Sequence, residues 1–460
     1  MKGGNDLVAQ FIADAAWDAL PPAEVQRKAR MALLDILGAT LVGTLTPISC
    51  LTADHAVETW PGDEATILLH GKRASAIGAA FANGYAANGL DIDDCALYTK
   101  GHPGAQLFPT ALALAEKLGL GGSQMMTAMV VGYEVAHRTA RMWHDHHAIY
   151  QACGSWGSVA CAAVACHLLR LPQEQIKHAL GIAEYHAPNL PMMRDIDHPA
   201  MVKHGIGWGA MNGIVSAQLA QRGFTGIPSI LGFECYRDWV ADGSTEPSSR
   251  AQAEGLAEVI GQHYVMVDGV VFKEYACCAW THPALDAVRG LLRQHDFGVD
   301  DIVHICVEGF HETVRLGTKL PTTTEEAQFN LAWPLAVFLL DGEIGPDQML
   351  EHRFDDERVR ALANKIELVE SEELNELSRR MAVGDPSGKY AAAVTITLND
   401  GRQFASGIVD GSIRCPQRWD ETRVEEKFRW LVAHVLEEAR VEPLVDMVWH
   451  FEDTWTMCTS

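Results

Sequence analysis

Run after run in the first 260 residues puts Ala, Gly, Val and Leu at helical spacing with hardly a charge among them. Residues 71–89 read GKRASAIGAAFANGYAANG and residues 154–169 read GSWGSVACAAVACHLL. A helix that is apolar all round has no face to give to water, so other helices must enclose it. That pattern is unlike a solvated coiled coil, which keeps charged residues beside a narrow seam, and it calls for a buried bundle. A chain of 460 residues can build one, and it exceeds a single ordinary core, so two domains are expected. Helices are predicted over 110–118, 123–141, 154–169, 173–184 and 209–221, and an earlier one has Val25, Ala29, Leu33, Ile36 and Leu37 on its apolar face. Residues 65–70 are a short strand candidate.

Near Val271 the character changes. Residues 301–308 (DIVHICVE) alternate and are β-branched, residues 365–369 read as another strand, and residues 391–409 read as a hairpin with Asp400 and Gly401 in its turn. Residues 325–340 read as one helix despite Pro334, and from about residue 420 the helical pattern returns. The expected fold class is mainly α with α+β, in the order helical, mixed, helical.

The formal net charge of −24 argues against nucleic acid or an anionic membrane surface as partner. A small anionic ligand then requires the basic residues to be gathered locally. The 11 cysteines are scattered without a CxxC pair, which reads as a reduced chain. No basic start with an apolar core opens the sequence, and no uncharged apolar run reaches the ~20 residues that span a bilayer. A soluble, cytoplasmic protein is expected.

Several motifs dissolve when their chemistry is weighed. His144, His146 and His147 (MWHDHH) lack the i, i+4 spacing that sets two ligands on one helix face. GIGWGAMNG (205–213) has no strand leading into it, GDPSGK (384–389) is too short for a phosphate loop, and Ser155 and Ser158 sit in no GxSxG. No metal is expected. Cys277 and Cys278 are read as small buried hydrophobes.

Another grouping carries more. Residues 88–109 read NGLDIDDCALYTKGHPGAQLFP, placing Asp91, Asp93, Asp94, Lys100 and His102 on a loop between helical runs, broken by Gly101, Pro103 and Gly104. Lys203 and His204 stand at the start of a Gly-rich helix, where free N–H groups favour an anion. Lys273 and His282 flank a further helix start, with Thr281 as its cap, and Tyr150 and Gln151 precede one opened by Gly154. Each alone is more often structural. Together they can form a cationic pocket for two or more carboxylates, in which a lysine of lowered pKa and a histidine move protons.

These residues resemble the MmgE/PrpD family, whose members include 2-methylcitrate dehydratase, cis-aconitate decarboxylase and iminodisuccinate epimerase. The resemblance is carried by LDIDD followed by HPG, by GYEVAHR, VKHGIGWGAMNG, LAQRGFTG, FKEYACCAWTHPALDA, EEAQFNLAWPLAVFLLDG and ITLNDGRQF, in order over almost the whole chain. It implies an enzyme without cofactor, a homodimer, and a large all-helical domain made of residues 1–268 and 412–460 with a smaller α+β lid, residues 269–411, inserted between them. It places the site in the cleft and matches Asp91, His102, Lys203, Lys273 and His282 to family positions.

Where many dehydratases and decarboxylases of the family have a histidine in a GFHPTG-like stretch, this chain has Tyr150 and Gln151, and its first loop, one residue longer, adds Lys100. Epimerisation needs only two proton carriers on opposite faces of one carbon. The expectation is therefore an epimerase of the iminodisuccinate type, acting beside a carboxylate of a small di- or tricarboxylate. Lys203 and Tyr150 are the acid/base pair and His102 the helper, while Asp91 orients His102 or holds a lysine charged. Lys100, Gln151, His204, Lys273 and His282 bind substrate. The alternatives are a dehydratase or decarboxylase of methylcitrate- or aconitate-like tricarboxylates and, from another class, a non-catalytic carboxylate binder.

Overall fold

The computed structural model describes residues 3–96, 99–147, 149–232, 259–382, 385, 387–411 and 418–454. The charge-poor segments form helices Ala76–Ala87, Gly104–Leu118, Gly122–His146, Gly154–Leu168, Gln173–Tyr185 and Ile206–Gln221, which pack on one another with nearly every residue of the Gly154–Leu168 helix buried. Small residues set the spacing. A Cβ at Gly213 would collide with Cys161 on the Gly154–Leu168 helix, and one at Gly154 would strike the carbonyl of Gly205. Helix Gly104–Leu118 begins six residues earlier than predicted and holds Pro109 inside; Pro109 stands past the opening N–H groups that have no intrahelical partner, so the helix forgoes one i→i−4 bond there.

Two short ribbons and one sheet complete the fold. Strands β1 (Ala65–Ile67) and β2 (Lys72–Ala74) form an antiparallel pair, so the predicted 65–70 strand ends at Ile67 and turns back. Strands β3 (Cys95–Ala96) and β4 (Val270–Val271) form another. The sheet runs β6-β5-β7-β8 with β5 (Ile302–Gly309), β6 (Ile366–Glu370), β7 (Ala391–Leu398) and β8 (Gln403–Asp410); β5 and β6 are parallel and the other pairs antiparallel. Helix Glu421–Val432, capped by Asp420 accepting from the Arg423 N–H, returns to pack on helix Arg27–Gly43. No single described helix is long and apolar enough to cross a membrane.

Two predicted elements are corrected. The 325–340 segment is two helices, Thr324–Gln328 and Ala332–Asp341, because Asn330 Oδ1 accepts from the Trp333 N–H and starts a new helix two residues before Pro334. Thr281 does not cap the helix His282–Gln294; its hydroxyl donates to the Asn330 carbonyl. Gly384 and Pro386 of GDPSGK and the 411–412 boundary's far side lie outside the described residues.

The spacing argument gives opposite expectations for two glycines. Gly213→Ala should cost about 1–3 kcal/mol through overpacking, whereas Gly290→Ala, in helix His282–Gln294 with nothing within 4 Å of the added methyl, should gain roughly 0.5–1 kcal/mol. Thermal unfolding of the two variants reads both signs.

Candidate active site

Pairing of β3 with β4 ties the 88–104 loop to the segment before Lys273, and so brings together side chains 182 positions apart. Lys273 Nζ lies 2.7 Å from Asp91 Oδ2, with both side chains buried. Asp91 Oδ1 faces His102 Nε2 at 3.4 Å and accepts from Asn88 Nδ2 at 3.2 Å. On its other side the His102 ring meets Asp93 Oδ2 at 2.9 Å through Nδ1. Burial alone would raise the Asp91 carboxyl, but the charges of Lys273, then His102 and Lys203, hold it well below the usual range. Burial would lower His102, yet Asp93 foremost and Asp91 outweigh it and keep the imidazole well above its ordinary value, so it carries charge at neutral pH.

A second histidine stands against the first. The His204 ring stacks on His102 with centroids 5.5 Å apart and planes 18° from parallel, and its Nδ1 lies 2.7 Å from Asp195 Oδ2. Asp195 also accepts from the His204 N–H. Burial keeps His204 below its ordinary value despite Asp195, so the ring is neutral, and its Nε2 is buried without a hydrogen-bond partner. Lys203 Nζ donates to Gln328 Oε1 at 2.7 Å, and Gln328 in turn donates to the Gly89 carbonyl. The helix break after Gln328 is what delivers this amide and Phe329, whose ring meets His204 edge-on.

Backbone strain marks the same place. Of the six described non-glycine residues with positive φ, four are Asp91, Lys100, Lys203 and His204. Each such residue costs on the order of 1–3 kcal/mol and persists only where its surroundings enforce it, so the contacts gathered here hold four strained positions at once.

A cavity of about 170 Å³ opens on this group. Polar side chains line it, Asp91, Lys100, His102, His204 and Glu312 among them, together with the aromatic rings of Trp280, Phe310, Phe329 and Tyr390. Lys203, Lys273, His282 and Gln151 do not line it. Lys203 and Lys273 act from behind the wall, through Gln328 and Asp91. Gln151 donates to the Ile149 carbonyl. His282 is enclosed, with Nε2 at 3.3 Å from the Cys277 carbonyl, and burial pushes it down to about 3. Tyr150 does line the cavity, but its hydroxyl donates to the Lys100 carbonyl and burial holds it well above its ordinary value. Burial likewise raises the Cys278 thiol to about 12, which leaves no thiolate for a nucleophile.

Asp91, His102 and His204 each present one donor atom within 4.8 Å of the others. Their spacing is that of a metal triad, but a charged His102 and the Lys273 ammonium against Asp91 suit an anion better. His144 and His147 diverge, the first toward Tyr150 and the second onto Trp143; the side chain of His146 lies outside the described residues. Asp195, Asn88, Gln328 and the aromatic rings were missing from the sequence reading.

Residues 6–236 match the MmgE/PrpD N-terminal domain and residues 275–452 the MmgE/PrpD C-terminal domain. The chain belongs to the MmgE/PrpD family. Among relatives, a cis-aconitate decarboxylase-like protein of Aspergillus oryzae is 24% identical over 456 residues, covering 94% of this chain and 91% of the relative. Cis-aconitate decarboxylase of Aspergillus terreus is 23% identical over 470 residues (97% and 93%), and that of Homo sapiens 27% over 445 residues (93% and 88%). This MmgE/PrpD member is an enzyme, and its relatives favour the lyase alternative over the epimerase expectation.

Two outcomes follow from the buried charges. Asp91→Asn strands the Lys273 ammonium and should cost about 3–5 kcal/mol, part of which Asp91→Asn/Lys273→Met recovers; urea unfolding of both variants checks this. His282 stays neutral in the folded protein down to about pH 3, while the unfolded chain binds that proton near pH ~6.5. Its contribution is therefore complete above about pH 6.5 and fades as pH falls toward 3, so His282→Gln should flatten the acid-side decline of unfolding free energy.

Proposed function

We propose that the chain is a cofactor-independent lyase that decarboxylates a small tricarboxylate of the cis-aconitate type. The observation that carries the reading is the cavity itself, which the stacked His102 and His204 rings and Lys100 share with a cluster of aromatic rings. Two substrate carboxylates are held by Lys100, His102 and the field of Lys203 and Lys273. The third lies against Trp280 and Phe310, where a carboxylate is poorly solvated and neutral carbon dioxide is not.

The reaction runs without a cofactor because the substrate supplies its own electron sink. The bond between the methylene carbon and its carboxylate breaks, and its electron pair forms a new double bond to the central carbon. The former alkene pair is pushed onto the CH carbon beside the remaining carboxylate. His102 gives that carbon a proton and regains one from solvent, while the neighbouring positive charges offset the negative charge that builds on the carboxylate. His204, held by Asp195, keeps a free Nε2 for a substrate oxygen. Asp93 and Asp91 keep His102 charged and aimed. The sheet-bearing residues 269–411 act in this reading as the lid that presents the aromatic rings.

The activities of the decarboxylase relatives support this reading, and Tyr150 supports it from the other side. A tyrosine whose proton is committed to the Lys100 carbonyl is a poor second proton carrier, which weakens epimerisation.

Offered cis-aconitate, the enzyme should release carbon dioxide and form a terminal alkene, with one deuterium entering the product methylene in deuterated buffer. His102→Gln should slow turnover by roughly 10²–10⁴-fold, the range of a lost general acid. Deuterium washing into a dicarboxylate with neither alkene nor carbon dioxide formed would instead return the epimerase.

A further inference from the structure

Beyond the residues that line the cavity lies a buried lysine that the chemistry above leaves unused. Lys427 belongs to helix Glu421–Val432 of the C-terminal segment and is 6% exposed. Its Nζ sits 2.5 Å from Asp35 Oδ1 on helix Arg27–Gly43 and donates at 2.7 Å to the carbonyl of Ile92. Ile92 stands between Asp91, which pairs with Lys273, and Asp93, which holds His102 Nδ1. One ammonium group thus clamps the peptide that aims both carboxylates, across a sequence separation of 335 residues.

The loop needs such a clamp. Asp91 is held at φ 53°, a conformation that a non-glycine residue leaves when it is released. Within the loop, the Asp91 N–H reaches back to the Asn88 carbonyl, and the Asn88 amide bonds both Asp91 and Asp93. The Lys427 bond comes from an element outside the loop and is positioned by packing: Phe428 and Leu431, on the same helix, close over Gly38 of the Arg27–Gly43 helix. A buried ion pair gives little net stability when weighed against an apolar pair of the same shape, so its worth here is in the geometry it enforces.

We propose that Lys427, held by Asp35, is a positioning residue for the reaction, fixing Ile92 so that Asp91 and Asp93 keep His102 aimed at the substrate. The proposal rests on the proton-donor role given to His102 above.

The test pairs a kinetic readout with one that needs no substrate. Lys427→Met alone strands Asp35 and can unfold the chain, so the informative variant is Asp35→Leu/Lys427→Met, which removes both charges together. It should unfold near the wild-type temperature, yet lose kcat on cis-aconitate by about tenfold or more with KM changed less than about threefold, as expected of a misplaced catalytic group. In the substrate-free enzyme the NMR titration of His102 should move down toward the ordinary histidine value. Lys427→Arg, which keeps a donor of different reach, reads the same two quantities if the double variant does not fold, and should show smaller shifts in the same directions. A folded variant with the wild-type His102 titration and wild-type kcat overturns the proposal, and so does a change confined to unfolding temperature. If no tricarboxylate is turned over by the wild type, the functional reading fails while the His102 titration still decides the role of Lys427.

Discussion

The Asp91–Lys273 pair is the contact on which the arrangement around it depends. Both groups are withdrawn from water at a cost that only close approach and further hydrogen bonds can offset. Lys273 Nζ is 2.7 Å from Asp91 Oδ2, and the other oxygen faces His102 and Asn88. Take away either partner and the other is left as an uncompensated charge. The β3–β4 ribbon brings the two strands of chain together, and the pair then fixes the loop to the segment after β4 at a single register. His102 inherits its place and its charge from that junction, since Asp93 foremost, with Cys95 and Asp91, raises it.

The two histidines gain their different characters from the same wall. They are stacked, both buried, and each is beside a carboxylate. His102 has two carboxylates within 3.4 Å and is charged; His204 has one, and burial prevails. Neighbouring sites that ionise differently can divide the work of donating and accepting. The carboxylates beside His102, and the positive His102 and Lys203 beside His204, push the ionisation of the two rings apart.

Much of this was legible in the sequence, and the exceptions have physical causes. Asp91, His102, Lys203 and Lys273 could be singled out because charged residues in Gly-rich, otherwise apolar surroundings are conspicuous. The buried bundle followed from small residues at helical spacing, and the strands from alternation. Asp195 and Gln328 could not be found that way. Each is an ordinary polar residue in a short helix, and only the fold carries Asp195 to His204 and Gln328 to Lys203, the latter across 125 positions. The helix break at 329–331 escaped notice because hydrophobic periodicity continues through it, while the Asn330 side chain that starts the next helix is a local hydrogen bond invisible to periodicity. Tyr150 and Gln151 illustrate the reverse case: their residue types suggest chemistry, and the carbonyls beside them use their hydrogens.

The glycine-spaced packing of helices Gly154–Leu168 and Ile206–Gln221 has a wider consequence. Main chain rests on main chain there, so the placement of His204 at the head of the second helix is insensitive to side-chain fashion elsewhere. Trp280, Phe310 and Tyr390 belong to other segments, and they line the same cavity. A change at Trp280, Phe310 or Tyr390 therefore alters the lining of the cavity without passing through that backbone contact, whereas a change at Phe329 reaches His204 and Lys203 directly. A scaffold built in this way is suited to diversify its substrates while keeping one chemistry.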